Sequence, residues 1–188
     1  MRVASIAAVV SALTVSCADS RGTITVNDAA SDAWWQYLAE YDGAPGSTIV
    51  NLGLKSRAPR AEYPCLVVVG LSYESPEGAA GLPPVDSLDE LTRLSNDRLD
   101  TLRRTVRAVH VGTFSHQRER LDYIYVADSA GVAAALAEWH ARVAPSRTQY
   151  LNVKSDPNWD AYFAFLYPNA QIMRLHRAAL QKLGVTGP

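Results

Sequence analysis

Hydrophobic and polar positions change period along this chain, and the changes predict its elements. Residues 3–15 (VASIAAVVSALTV) form an unbroken apolar run of thirteen. Residues 34–41 are aromatic-rich and strand-like. The cluster Asp42-Gly43-Ala44-Pro45-Gly46 is a turn, and residues 47–54 read as the returning strand of a hairpin. Residues 55–63 are a loop. Residues 65–73 are apolar enough to lie at the centre of a sheet. Residues 74–84 form a further loop, with Gly78, Gly81 and Pro76, Pro83, Pro84. Ser87 and Glu90 have the spacing of a capping box. After it Leu88, Leu91, Leu94 or Ser95, Leu99, Leu102 and Val106 recur at helical intervals, which predicts an amphipathic helix of about five turns.

The second half has a related plan. Residues 109–115 read as a strand, 116–119 as a polar connection and 120–126 as the returning strand. Asp128 and Ser129 can cap a helix over 130–143, with Val132, Leu136, Trp139 and Val143 on one face, and residues 150–154 form a short strand. Asp156-Pro157 opens a short helix, with Asp as cap and Pro in the first turn, and its apolar face is Trp159, Tyr162, Phe163 and Leu166. Pro168 ends it. Asn169 can cap a last helix with Ile172, Leu175, Ala179 and Leu183 inward, stopped by Gly184. The predicted class is α+β: a mainly antiparallel sheet of about six strands with helices packed on one face. Strand-strand-strand-helix followed by strand-strand-helix-strand reads as a diverged ferredoxin-like duplication.

The first apolar run changes the picture of where the chain works. It follows Arg2, ends at Ser16-Cys17, and is too short to span a hydrocarbon core of roughly 30 Å. Residues 1–17 therefore read as a bacterial export signal of lipoprotein type, with Cys17 the lipidated first residue of the mature chain. Thr14 stands where such signals usually carry Leu. A rival cut after Ala18 would release a soluble periplasmic or secreted protein. Residues 18–31 read as a tether and 32–188 as one α+β domain anchored to a membrane of the cell envelope.

Removing the signal leaves about 170 residues, enough for one domain with a full core and no need of a disulfide or metal. With Cys17 lipidated, Cys65 has no partner and reads as a buried thiol acting as a small hydrophobe. Net charge is −1 and neither half is strongly basic, which argues against nucleic acid as a partner. There is no Gly-x-Ser-x-Gly, P-loop, Gly-x-Gly-x-x-Gly, His-Glu-x-x-His or Cys-x-x-Cys.

The densest polar group is His116, Arg118, Glu119, Arg120 and Asp122. Its residues His116, Arg118, Arg120 and Asp122 form the candidate binding surface, at the tip of a hairpin. Strand alternation lines up His110, Gly112, Phe114 and His116, with the two histidines about 20 Å apart, too far to share a metal on a straight strand. His140 and His176 stand alone on helices, so neither a metal nor a cofactor is expected. Trp34, Trp35, Tyr37 and Tyr41 read as half-buried strand packing. Arg98, Arg103, Arg104 and Arg107, interrupted by Asp97 and Asp100, read as a solvated helix face. Two function classes follow. One is a non-catalytic domain binding a protein or small ligand in the envelope. The alternative is a hydrolase-like enzyme using the polar group from His116 to Asp122, where a carboxylate near a histidine supports general acid–base work.

Three stretches carry a family resemblance: Asp42-Gly43-x-Pro45 to Asn51-Leu52-Gly53-Leu54; Val109-His-Val-Gly-Thr to Arg120-x-Asp-Tyr-Ile-Tyr-Val126; and Asp156-Pro157-x-Trp159-x-x-Tyr162-x-x-Phe165-Leu166-Tyr167-Pro168. Together they resemble the bacterial domain-of-unknown-function family numbered six hundred and ninety-five, over about residues 32–168. Members sometimes occur beside a domain similar to the regulator of ribonuclease activity B, an inhibitor that acts by binding its target enzyme. The resemblance implies no catalytic residues. An exported member departs from that cytosolic neighbourhood.

Overall fold

The computed structural model describes residues 32–76 and 81–177. Six strands, β1 (Trp34–Tyr41), β2 (Ala44–Asn51), β3 (Cys65–Ser72), β4 (Ala108–His116), β5 (Glu119–Val126) and β6 (Gln149–Ser155), form one sheet in the order β1-β2-β4-β5-β3-β6. Every neighbouring pair is antiparallel. Helix α1 (Leu88–Thr105) joins β3 to β4, and α2 (Val132–Val143) joins β5 to β6. The run β3-α1-β4-β5-α2-β6, with spatial order β4-β5-β3-β6, is the split βαβ plan of ferredoxin-like domains. The β1–β2 hairpin extends that sheet beyond β4. The α+β class thus agrees with the pattern of the sequence, while the repeated units are β3-α1-β4 and β5-α2-β6 rather than the two halves read there.

The helices, however, cover both faces of the sheet rather than one. Alternation along β5 sends Ile124 and Val126 to one face, where they pack with Val67, Val69, Leu99, Leu102 and Leu136 beneath α1 and α2. It sends Tyr123 and Tyr125 to the other, where they meet Trp159, Tyr162, Leu166 and Met173. Tyr162 and Leu166 belong to a π-helix, Ala161–Leu166, and Met173 to α3 (Ala170–Leu175), with Trp159 just ahead of them. The physical reason is β3, buried along nearly its whole length. A strand apolar on both sides needs two covers.

Several helix ends also differ from expectation. The Ser87 hydroxyl donates to the Pro84 carbonyl (2.8 Å), closing a 3₁₀ turn, so no capping box forms. Glu90 instead accepts from Arg147 at 3.0 Å. α2 begins at Val132 behind Gly131 (φ +74°), while Asp128 accepts from the Ala130 N–H. Asp156 does receive helix N–H groups, those of Asp160 (2.9 Å) and Ala161 (3.0 Å), but Trp159 lies ahead of the helix at φ +58°. Asn169 caps α3 as expected, accepting from Gln171 and Ile172. Cys65 is buried at the head of β3 and is disulfide-bonded rather than the free thiol expected. The export signal with Cys17, the tether, Gly78, Ala179, Leu183 and Gly184 lie outside the described residues. Among the described residues, no helix is long and apolar enough to cross a membrane.

Candidate functional site

The polar group from His116 to Asp122 is divided by the sheet. His116 ends β4 on the face of Tyr41 and Phe114, its ring 5.6 Å from Phe114 and its Nδ1 3.2 Å from the Pro45 carbonyl oxygen. Arg118 is exposed in the hairpin turn at φ +68°. Arg120 and Asp122 point the other way, toward α1, and are buried, 8% and 2% exposed. The four residues of the expected binding surface therefore do not form one.

Asp122 is the hub of a polar network beneath α1. Its Oδ2 accepts from the Ser95 hydroxyl (2.7 Å) and pairs with the Arg98 guanidinium; its Oδ1 accepts from Thr113 (2.8 Å), the residue opposite it on β4. Ser95 and Arg98 are three apart on α1 and so share a face. Arg98 is 2% exposed and lies over the Trp139 ring at 5.3 Å, which corrects its place on a solvated face; Arg103, Arg104 and Arg107 are exposed as expected. Burial alone would raise the Asp122 carboxyl. The Arg98 charge, then His110 and the Ser95 hydroxyl, outweigh it and hold the group below the usual carboxylate range.

A β-bulge brings His110 to this network. Between His110 and Gly112 the register with β5 slips, so His110 and Thr113 share the α1 face while Val111 and Phe114 face the other way. The expected line of His110, Gly112, Phe114 and His116 is thereby broken. His110 Nε2 lies 3.0 Å from the Gly112 carbonyl oxygen, 3.2 Å from Thr113 Oγ1 and 3.7 Å from Asp122 Oδ1. A carbonyl only accepts, so Nε2 carries the proton. Trp34 covers the imidazole at 5.1 Å. At Gly112 a Cβ would meet the Ile49 carbonyl oxygen at 2.7 Å, on the neighbouring strand. Gly112→Val is expected to destabilise the domain by about 1–3 kcal/mol, read by urea denaturation, because backbone must move to admit it.

Burial lowers the His110 pKa below its ordinary 6.5, against the pull of Asp122. The unfolded chain then binds the proton first, so stability is full above about 6.5 and falls as pH drops below it. His110→Gln should flatten the stability profile between about pH 7 and pH 5. An unchanged slope in that window would show that His110 does not set it.

Beside the network lies a half-open cavity of about 670 Å³ between α1, the β2–β4 part of the sheet and the loop before β3. Trp34, His110, Thr113 and Arg120 contribute from the sheet, and Ser95 and Leu99 from α1. Arg57, Arg60, Arg103 and Arg120 line it against one carboxylate, Asp32, which accepts from the Asn51 amide (2.9 Å). Among the described residues, Arg120 Nε and Arg98 Nε and Nη1 are buried without a hydrogen-bond partner. No group of three or more His, Cys, Asp or Glu is placed to hold a metal among the described residues.

Comparison with known proteins gives one match. The family described as "Family of unknown function (DUF695)" matches residues 32–167. No curated protein and no solved structure matches the chain.

Proposed function

We propose that this chain, which belongs to the DUF695 family of unknown function, is a non-catalytic binding domain of the bacterial envelope that holds a small ligand between α1 and the sheet. The observation that carries this reading is Arg120. Its guanidinium is buried, its Nε lacks a partner among the described residues, and it lines a 670 Å³ cavity. Buried donors are rarely left unpaired, and an unmet one costs about 1–3 kcal/mol. A ligand acceptor on the part of Arg120 that lines the cavity offsets the cost of burying its charge. The cavity also falls in the size range of ligand sites, about 300–1,000 Å³.

In the hydrolase alternative Asp122 is not the partner of His116, because the two lie on opposite faces of the sheet, which leaves Glu119, opposite His116 in register, as the carboxylate of that reading. His110 stands near Asp122, but its Nε2 proton is engaged by the Gly112 carbonyl. Screening the purified chain against esters, phosphoesters, peptides and glycans should give no turnover. Turnover abolished by His110→Ala or His116→Ala, at an unchanged melting temperature, would replace binding with catalysis.

Export and anchoring rest on the sequence: Arg2, the apolar run 3–15, and Ser16-Cys17. Lipidation consumes the Cys17 sulfur as a thioether. Cys17 is the only other cysteine in the sequence, so a lipidated chain cannot also hold Cys65 in an intramolecular disulfide. One acyl chain holds a protein only marginally, whereas the several chains of a lipoprotein hold it firmly. Cys17→Ser should move the protein from the membrane to the soluble fraction. A wild-type chain already soluble, with an intact mass starting at Asp19, contradicts the anchor and leaves export standing.

A further inference from the structure

Resting on that binding reading, we propose that the ligand is a small organic anion, an apolar body carrying a carboxylate or phosphate that seats its oxyanion on Arg120. Two buried guanidiniums, Arg98 and Arg120, share one buried carboxylate, Asp122, so the cluster holds one positive charge in excess. Asp122 accepts from Ser95, Arg98 and Thr113 and makes no hydrogen bond to Arg120 Nε. The other arginines at the cavity differ from Arg120. Arg60 holds Glu62 at 2.7 Å, and Arg103 lies 3.6 Å from Asp100. Arg120 Nε is closed off as well as unpaired, so a group entering the cavity meets the part of the Arg120 side chain that lines the wall. A guanidinium is a planar fork that matches carboxylate and phosphate oxygens in pairs, and burial strengthens the attraction. The rest of the wall asks for more than a bare ion. Ile49, Leu54, Leu99, Tyr63 and the Trp34 indole offer apolar surface to the body of a ligand.

Four probes test this on the purified chain by calorimetric titration: benzoate, phenyl phosphate, inorganic phosphate and benzamide, the last a neutral match in shape to benzoate. Benzoate or phenyl phosphate should bind at least about tenfold tighter than benzamide, and the tighter of the two identifies the source as a carboxylate or a phosphate ester. Inorganic phosphate alone should bind more weakly than phenyl phosphate, for want of an apolar body. Arg120→Gln should lower the affinity for the preferred anion at least about tenfold while leaving the benzamide affinity unchanged. If Arg120→Gln fails to fold, the benzoate–benzamide ratio on the wild type decides. Benzamide binding as tightly as the anions overturns the anion proposal and leaves the binding cavity intact. Binding of no probe, with tryptophan fluorescence unmoved by any of them, overturns both.

Discussion

Asp122→Ala should destabilise the domain by about 3–5 kcal/mol, because it leaves two buried guanidiniums with no counter-charge. Asp122 is the carboxylate that Arg98 pairs with, and it is the acceptor for the hydroxyls of Ser95 and Thr113. Removing it leaves each of these donors buried and unmet, beside the Arg98 and Arg120 nitrogens that already lack partners. The isosteric Asp122→Asn keeps the shape and one acceptor but removes the charge. It should therefore cost most of the same amount. Urea denaturation of both variants gives the comparison. Stability within about 1 kcal/mol of wild type for Asp122→Asn would show that hydrogen bonding, and not charge, holds the network. The pH dependence has a defined sign. The folded pKa of Asp122 is depressed, so its contribution is present above the ordinary value of 3.8 and is lost as pH falls through the folded value.

Trp159→Ala should cost a similar amount, about 3–5 kcal/mol, on the opposite face of the sheet. The indole is fully buried and stacks on Tyr125, with centroids 4.1 Å apart and planes 7° from parallel. Its Nε1–H donates to the Tyr63 carbonyl at 3.0 Å, tying the loop before β3 to the C-terminal segment. Tyr125 in turn donates to Asp156 at 2.6 Å, the carboxylate that also receives the N–H groups opening the π-helix. Loss of the indole thus removes packing from the joint that seats the second cover. Thermal melting should fall by about 10 °C, taking about 2–4 °C per kcal/mol for a chain of this size. Trp159→Phe keeps a ring but leaves the Tyr63 carbonyl without its donor, and should lie between the two. An alanine variant melting within a few degrees of wild type would show that the indole does not anchor the segment.

Much of the fold is legible in the sequence because its signals are periodic. Helical spacing marks α1 and α2, and Asp42-Gly43 marks the turn of the first hairpin. The second helical cover is also written there, in the unbroken apolar run of β3, since a strand without a polar face must be covered twice. The site is harder to read. Arg98 lies in the row Leu91, Leu94, Ser95, Leu102 on the buried face of α1, so its spacing places it inward although its charge argues for solvent. Gly112 is the local sign of the bulge that turns His110 toward Asp122, and a single glycine within a strand is a weak signal. The cavity draws side chains from β1, β4, β5, α1 and the loop before β3. Only the pairing of strands brings such distant segments together, and no local pattern encodes it. Conversely, the hairpin tip from His116 to Asp122 is dense in polar residues along the chain, yet alternation divides them between two faces.

Whether a ligand occupies the cavity beneath α1 can be read residue by residue from an NMR titration of the isotope-labelled chain with benzoate. Shifts should concentrate on the Trp34 indole, the His110 ring and the Arg120 guanidinium, together with Ser95 and Leu99 of α1, the groups that line the cavity. Shifts confined to the hairpin tip around Gln117 and Arg118, or spread evenly over the surface while these groups stay still, would contradict a binding site between α1 and the sheet.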